Sequence, residues 1–417
     1  MRSPRQSRRS RHSHRHRSGG PHQGSRGHRD PRHAPIPTSG TETQVVGVAD
    51  TVEGQGGYLR QADQDYLPAR DDVVIPASVA RNFGLRDGTE VEGVAREGVG
   101  GRRVLVEVQK ASGLAPDEYQ ALPHFADLTS INPADAFELA GEGAELSLRV
   151  IDLISPVGHG QRGLVVSPPK AGKTTLLEHL GQAIAKEHPD VHLILLLIDE
   201  RPEEVTHFRR AVKAEVLAST SDSDADAHMR LAKLAIERSK RLVEAGRDVV
   251  ILLDSLTRLG RASNREMGPG GRTMSGGVDN RALLFPRQFF GAARNCEGSG
   301  SLTILATALI DTGSRMDEVI FQEFKGTGNM ELILDRGIAD RRIFPAVDVL
   351  KSGTRREELL VPPEELSKRH LLRRALADLS PVEAAQFLID KLQKTPSNAA
   401  FLGSMVAPAP AAVRRFR

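Results

Sequence analysis

Three short, almost unbroken apolar runs constrain this chain more than any other feature: His192–Asp199 (HLILLLID), Val249–Asp254 (VVILLD) and Leu302–Ala308 (LTILATA). None alternates apolar with polar residues, as a strand with one wet face would. Runs of this length and kind read as strands buried on both faces, which occurs where helices cover both sides of a parallel sheet. Helical patterns lie over Lys173–His188 and His228–Ala245. The rhythm of strand, loop and helix predicts an open α/β sheet with parallel strands. Ligands of such sheets bind at the carboxyl ends of the strands. Two of the three runs end there in an aspartate.

The chemistry enters with another strand candidate, Gly163–Ser167. Ser167-Pro168-Pro169-Lys170-Ala171-Gly172-Lys173-Thr174 follows it and opens a helix, the context a phosphate-binding loop requires. Gly172 permits close approach of backbone to phosphate. Lys173 offers a cation to the β- and γ-phosphates, and Thr174 a hydroxyl to Mg²⁺. Ser167 stands where the usual motif begins with glycine, so the string alone is a moderate signal. Placement of the other acids strengthens it. Asp254 ends a buried strand, where a carboxylate can hold the metal ion or its water; a lone acid there would only cap the strand. Asp199-Glu200-Arg201 closes the HLILLLID run, and a glutamate just past a strand end can orient and activate an attacking water. Glu200 is the candidate for that role, with Asp199 as the structural acid.

Upstream the pattern changes. Val45–Val52, Gly57–Arg60, Val73–Ile75, Glu90–Val94 and Val104–Val108 are short β-type runs separated by turn-rich pieces. Five such strands fit a small barrel of the oligonucleotide-binding type, though periodicity alone allows other small barrels. Residues 1–40 hold ten Arg, no Lys and one acid, Asp30, a charge of +9, so the remainder carries −6 of the total +3. This segment has almost nothing to bury and is expected to be disordered over 1–42. It could serve as a polyanion-binding arm or be a solvated tail; arginines between its histidines argue against metal binding. The expected layout is therefore a tail (1–42), a barrel (43–111), a linker (112–148), an ATPase domain (149–405) and a tail (406–417).

Composition excludes several classes. Trp is absent and aromatics are 4%, so the core must be aliphatic. Cys296 is the lone cysteine, which rules out an intrachain disulfide framework and fits a reducing, cytoplasmic setting. No apolar run approaches the length of about 20 residues that a membrane span needs, and the basic N-terminus lacks the apolar core of a secretory signal.

Together, SPPKAGKT (167–174), LIDERPEEV (197–205), ILLDSLTR (251–258), FFGAARN (289–295), ATALIDTG (306–313), FQEFKGTGNMEL (321–332) and SGTRREELL (352–360) closely resemble the Rho family of transcription termination factors. The resemblance runs from about residue 45 to about 405 and implies an oligonucleotide-binding barrel followed by a RecA-type motor, assembled as a homohexameric ring. It implies an RNA-dependent ATPase that uses ATP and Mg²⁺, moves along single-stranded nascent RNA, unwinds RNA–DNA hybrids and releases transcripts from the RNA polymerase elongation complex. By the same resemblance, Lys170, Ala171, Gly172, Lys173, Thr174 and Thr175 hold the phosphates. Thr174 and Asp254 support the metal, Glu200 is the general base and Arg201 lies beside it. The turn Gly158-His159-Gly160-Gln161-Arg162-Gly163 lines the nucleotide pocket, and Phe344 stacks on the adenine. Arg355 is the arginine finger, reaching a neighbouring subunit, with Arg258 and Arg342 in that interface. The resemblance assigns RNA contact to Tyr58, Arg60, Asp72, Arg102 and Arg103 on the barrel, and to Arg272, Thr273 and Arg315 in two central loops.

The barrel departs from the family pattern. Only Tyr58 is aromatic in Gln55–Arg60; Gly56 replaces a second ring, and Arg102-Arg103 stands where Arg-Tyr is usual. Base stacking contributes roughly 1–3 kcal/mol per ring, so primary RNA loading should be weakened unless arginine stacking compensates. Thr175 replaces a longer apolar residue beside the adenine. Two competing readings are a RecA-type rotary ATPase subunit and an RNA-binding protein with a degenerate motor. The strings at 289–295 and 352–360 oppose the first. Intact Lys173, Thr174, Glu200, Asp254 and Arg355 oppose the second.

Overall fold

The computed structural model describes residues 36–405 apart from 53–54, 99–100, 142 and 268–274. The disorder expected of the basic tail therefore falls almost wholly outside the described residues, as does the 406–417 tail. Regular structure begins at Glu42.

The five upstream runs close into a barrel: Glu42–Val52, Gly56–Arg60, Val73–Ile75, Arg103–Ala111 and Glu90–Glu97, in that order around the wall. All pairings are antiparallel except Val74 with Val104. Ala49, Leu59, Val73, Ile75, Val91 and Leu105 fill it, each below 1% exposed. Each large aliphatic side chain among them contributes roughly 1.5–3 kcal/mol by leaving water. A helix not flagged by the sequence, Ala77–Asn82, plugs one end with Val79 and Ala80. Gly57 is obligatory for closure, because a Cβ there would lie 2.0 Å from the Asp50 carbonyl oxygen.

The apolar runs form the centre of a larger sheet. Its order is Gly353–Thr354, Met330–Ile333, Arg162–Ser167, Ser301–Leu309, Val249–Asp254, His192–Glu200 and Glu215–Thr220. Every pairing along this path is parallel except that of the two-residue edge strand Gly353–Thr354. All six residues of Val249–Asp254 are buried, as the unbroken run requires. The edge strand Glu215–Thr220 is half polar and Met330–Ile333 is only four residues long, so neither gives a comparable signal in sequence. The stretch 112–148 is more than a linker. Its Tyr119 is 1% exposed and bonds Thr89 through its hydroxyl at 2.6 Å, while Ser130–Ile131 adds to the sheet against the strand of buried Cys296.

Barrel and motor are joined by a buried polar clasp. Tyr66 leaves the barrel and donates its hydroxyl to Glu215 Oε1 at 2.5 Å. Arg238 Nε lies 3.0 and 3.2 Å from the two Glu215 oxygens, and its Nη2 bonds Glu90 of the barrel at 2.8 Å. His192 Nε2 lies 2.5 Å from Glu215 Oε2. Arg86 grips Glu244 with both terminal nitrogens, at 3.0 and 2.6 Å.

Candidate nucleotide and RNA sites

The phosphate loop lies between the end of Arg162–Ser167 and the helix Lys173–Glu187. Lys170 and Gly172 have φ of +66° and +92°, a left-handed turn that a glycine at the helix start accommodates. Ser167, the departure from the usual motif, is 1% exposed and donates its hydroxyl to the Pro168 carbonyl at 3.0 Å. The serine thus satisfies itself locally and leaves the loop's turn intact.

Lys173, Glu200 and Asp254 converge. Lys173 Nζ stands 2.6 Å from Asp254 Oδ1 and 3.4 Å from Glu200 Oε1. Asp254 also accepts from Thr307 Oγ1 at 2.8 Å, whereas its Oδ2 is buried with no hydrogen-bond partner. Asp199 adopts φ +58° at a bulge in its strand, which swings Glu200 inward to 2% exposure. Burial, reinforced by the charge of Asp254 and opposed by Lys173 and Arg258, raises the Glu200 carboxyl to about 7. Burial alone would lower Lys173, but the two acids outweigh it and its proton is held more tightly than usual. Arg258 lies in this chain's own site, with Nε 3.2 Å from Glu200 Oε1 and Nη1 3.1 Å from Asp199 Oδ2. Its expected place in a subunit interface is therefore not required to explain it. Thr174 is half-buried in the first helical turn, and Arg201 is exposed at the start of the next helix.

Beside the loop opens a cavity of about 460 Å³, whose walls include Ser147, Lys170, Ala171, Thr175, His179 and Phe344. Phe344 is 46% exposed, unusual for so large an apolar ring, and faces Gly172. A Ser147–His179 hydrogen bond of 2.7 Å crosses the cavity wall, a pair the sequence does not single out.

The turn Gly158–Gly163 does not line this cavity. It enters the strand Arg162–Ser167 at the amino end, and the phosphate loop leaves at the carboxyl end. Six residues at about 3.3 Å each separate them by roughly 20 Å. There the turn is packed into the domain: Gly160 abuts the Asn295 backbone, and His159 stacks on Phe137 at 4.0 Å. Gln161 Nε2 and the Arg162 amide bond Asn329 Oδ1 at 2.6 and 2.8 Å, and the Arg355 amide bonds the Asn329 carbonyl at 2.8 Å. The turn therefore shares a face with exposed Arg355. Asn329, which ties them, was not legible beforehand. Burial depresses Arg162, and the charges of Arg294 and Arg355 depress it further.

On the barrel, Asp72, Arg102 and Arg103 meet around a cavity of about 630 Å³, with Arg70 and Glu97. Arg60 is not a free surface cation. It is 5% exposed, bonds Asp50 through Nε at 2.7 Å, pairs with Asp72, and lies 5.0 Å from the Tyr58 ring centre. Asp72 Oδ1 is buried without a partner. Gly56 has φ +75°, and a Cβ there would lie 2.3 Å from the Ile75 carbonyl oxygen. The local backbone is thus built around glycine and has no room for a ring. In the motor, Arg315 is exposed at the start of Arg315–Phe324, and Gly276 packs on its carbonyl. The two loops expected to meet RNA therefore come together at their bases. Arg272 and Thr273 lie outside the described residues.

A parallel sheet with a phosphate loop, a buried glutamate and a buried strand-end aspartate, preceded by an oligonucleotide-binding-type barrel, defines a RecA-type ATPase fused to a nucleic-acid-binding module. Two family models match: "ATP synthase alpha/beta family, nucleotide-binding domain" over residues 147–354 and "Rho termination factor, RNA-binding domain" over 45–117. The Rho termination factor of Aquifex aeolicus is 50% identical over 87% of this chain and 85% of its own length; that of Chromobacterium violaceum is 52% identical over 84% and 85%. The chain belongs to the Rho family of transcription termination factors. It is accordingly an RNA-binding ATP hydrolase, and the rotary-subunit alternative is not favoured. The motor fold also resembles a type III secretion ATPase (TM-score 0.55, 22% identity, 66% of this chain and 86% of that one) and an ATP synthase subunit of Nanoarcheaum equitans (0.53, 16%, 66% and 74%). Among the described residues no helix is long and apolar enough to cross a membrane.

Proposed function

We propose that the chain acts in the cytoplasm as one subunit of a homohexameric, RNA-stimulated translocase that pulls nascent RNA and releases it from RNA polymerase. The observation that carries this reading is the placement of Arg355. It is exposed on the face shared with the Gly158–Gly163 turn, at the opposite strand end from the chain's own phosphate loop. A finger so placed serves a neighbour's γ-phosphate, and hydrolysis then depends on ring assembly.

Mg²⁺ fits the site. Asp254 Oδ2 is a buried carboxylate oxygen without a protein partner, and Thr174 supplies a hydroxyl in the adjoining helical turn. The ion, when bound, neutralises charge on the β- and γ-phosphates. Lys173 binds the same phosphates from the loop. Glu200 orients a water and takes its proton as the oxygen attacks the γ-phosphorus and the bond to the β-phosphate oxygen breaks. Its raised proton affinity suits a base working near neutrality.

On the barrel, Asp72 Oδ1 offers an acceptor to an exocyclic amino group, as carried by cytosine and adenine. Arg102 and Arg103 supply phosphate attraction and guanidinium stacking. ATP hydrolysis measured with and without single-stranded RNA tests the whole reading. Strong stimulation is expected; equal turnover without RNA would favour a rotary-type motor, and no turnover at all a degenerate one.

A further inference from the structure

A second arginine, Arg373, braces the loop that carries Arg355. On the helix Pro363–Leu376, its Nη1 donates to the Ser352 carbonyl at 3.2 Å and its Nη2 to the Ile154 carbonyl at 2.5 Å. Nη2 also stands 3.5 Å from Glu357 Oε2, and His370 lies 3.3 Å from the other Glu357 oxygen. One guanidinium thus ties together three segments. Ser352 and Glu357 flank Arg355 on either side. Ile154 ends the helix Leu146–Ile154, whose first residues, Leu146 and Ser147, line this chain's own nucleotide cavity.

The surroundings are fitted to this fork. Gly353 packs against it, its Cβ position lying 3.6 Å from Nη2, an ordinary van der Waals contact. Arg356, directly after the finger, holds φ +59°, a left-handed backbone that persists only where neighbouring contacts over-determine it. A planar donor set reaching two carbonyls and a carboxylate at once is a property of arginine that lysine lacks. The connecting helix has nine residues and spans about 13 Å at 1.5 Å per residue.

We propose that Arg373 is a positioning residue for Arg355. It links the wall of one subunit's nucleotide cavity to the finger that the same subunit presents to its neighbour. Nucleotide bound in one site then aims the finger in the next, which is a physical route for firing in sequence around a ring. The inference rests on the reading of Arg355 as a finger acting in trans.

A double-mutant cycle on the full chain with RNA tests it, using Arg355→Ala, Arg373→Ala, Arg373→Lys and the Arg355/Arg373 double alanine variant. The finger variant alone should lose about a thousandfold or more in kcat. Arg373→Ala should lose roughly ten- to a hundredfold in kcat, the scale of an ångström-level misplacement. Its binding of a fluorescent ATP analogue should stay within about threefold of wild type, because Arg373 touches no nucleotide. Arg373→Lys should recover only part of the loss, and the double variant should match Arg355→Ala. A double variant whose loss is the product of the two singles overturns the proposal, as does an Arg373→Ala enzyme altered in nucleotide affinity alone. Should Arg373→Ala fail to fold, Glu357→Gln decides, since it keeps the guanidinium. A severalfold fall in kcat, absent in the Arg355→Ala background, supports the brace, and full kcat overturns it. An Arg355→Ala enzyme with normal RNA-stimulated turnover defeats the finger reading itself, and the brace with it.

Discussion

Lys173 Nζ lies 2.6 Å from Asp254 Oδ1, so the loop lysine and the strand-end aspartate form one ion pair with Glu200 3.4 Å from the same nitrogen. Two acids and one lysine share a nearly dry space, with Arg258 as the second cation. The arrangement places the penalty of burial on Glu200, whose carboxyl rises from 4.5 to about 7.

The base role of Glu200 has a pH signature. Its ionised fraction falls below pH 7, so kcat/KM for ATP, which reports the free enzyme, should drop about fivefold between pH 7 and pH 6, steepening towards tenfold per pH unit below that. The same shift acts on stability with a definite sign. Because the folded value is raised, ionisation of Glu200 destabilises the fold as pH rises from 4.5 through about 7. Glu200→Gln should therefore abolish turnover, yet melt at or above the wild-type temperature at pH 8, with the advantage gone near pH 4.5. A kcat/KM profile flat from pH 5.5 to 8, or a Glu200→Gln protein less stable at pH 8 than at pH 5 relative to wild type, would contradict it.

Phe344 tests the nucleotide cavity independently of the chemistry. An exposed ring facing the phosphate loop contributes little to the core, so its removal should spare folding. Base stacking on an aromatic ring is worth roughly 1–3 kcal/mol. Phe344→Ala should raise KM for ATP about five- to a hundredfold with kcat within about twofold, the pattern of lost uniform binding. Steady-state kinetics at saturating RNA decide this; an unchanged KM would remove Phe344 from the site.

The clasp between barrel and motor predicts an acid transition. Glu215 is held at about 2: burial pushes it up, but bonds from His192 and Tyr66 and the charge of Arg238 pull it further down. A depressed carboxylate stabilises the fold fully above its ordinary value, and that contribution is lost as pH falls from 4.5 towards 2. Glu215→Ala leaves Arg238 buried without its main partner, at a cost of about 3–5 kcal/mol. Limited proteolysis should then cut near residues 61–72 at neutral pH, where wild type resists until acid. Equal resistance of the variant would show that the barrel is held by other contacts.

What was legible in the sequence, and what was not, follows from the reach of each signal. Unbroken apolar runs report burial on both faces, so the central strands were plain, whereas the edge strand Glu215–Thr220 is half polar and Met330–Ile333 is too short, and they gave no such signal. Lys173, Thr174, Glu200 and Asp254 were readable because each sits at a fixed offset from a strand end. Asn329, Glu215 and Arg373 each reach a partner far off in sequence, and no local pattern marks them: Gln161 and Asn329 are 168 residues apart, Tyr66 and Glu215 149, Ile154 and Arg373 219. The Gly158–Gly163 turn was assigned by resemblance to a nucleotide pocket without saying whose. The structure places it beside Arg355 and away from this chain's own cavity.

The barrel yields the last prediction. Gly56 cannot be restored to a ring, since a Cβ there meets the Ile75 carbonyl at 2.3 Å, and Arg60 is committed to Asp50 and Asp72. On the proposed reading, primary loading then rests on Tyr58, on the unpartnered Asp72 Oδ1, and on Arg102 and Arg103 at the same cavity. Charge replaces stacking, and charge is screened by salt while stacking is not. Binding of C-rich and A-rich oligonucleotides should therefore differ by less than about 1.4 kcal/mol, a factor of ten. Affinity for both should fall steeply as salt rises. Arg103→Tyr should flatten the salt dependence by about one phosphate contact, and should raise affinity for C-rich RNA by the roughly 1–3 kcal/mol that a ring supplies. Fluorescence anisotropy over 50–300 mM salt (on the order of the range where counterion release dominates) measures all of this. Strong, salt-insensitive C-selectivity in the wild-type protein would mean that Tyr58 and Asp72 alone read the base, and that the arginines are incidental.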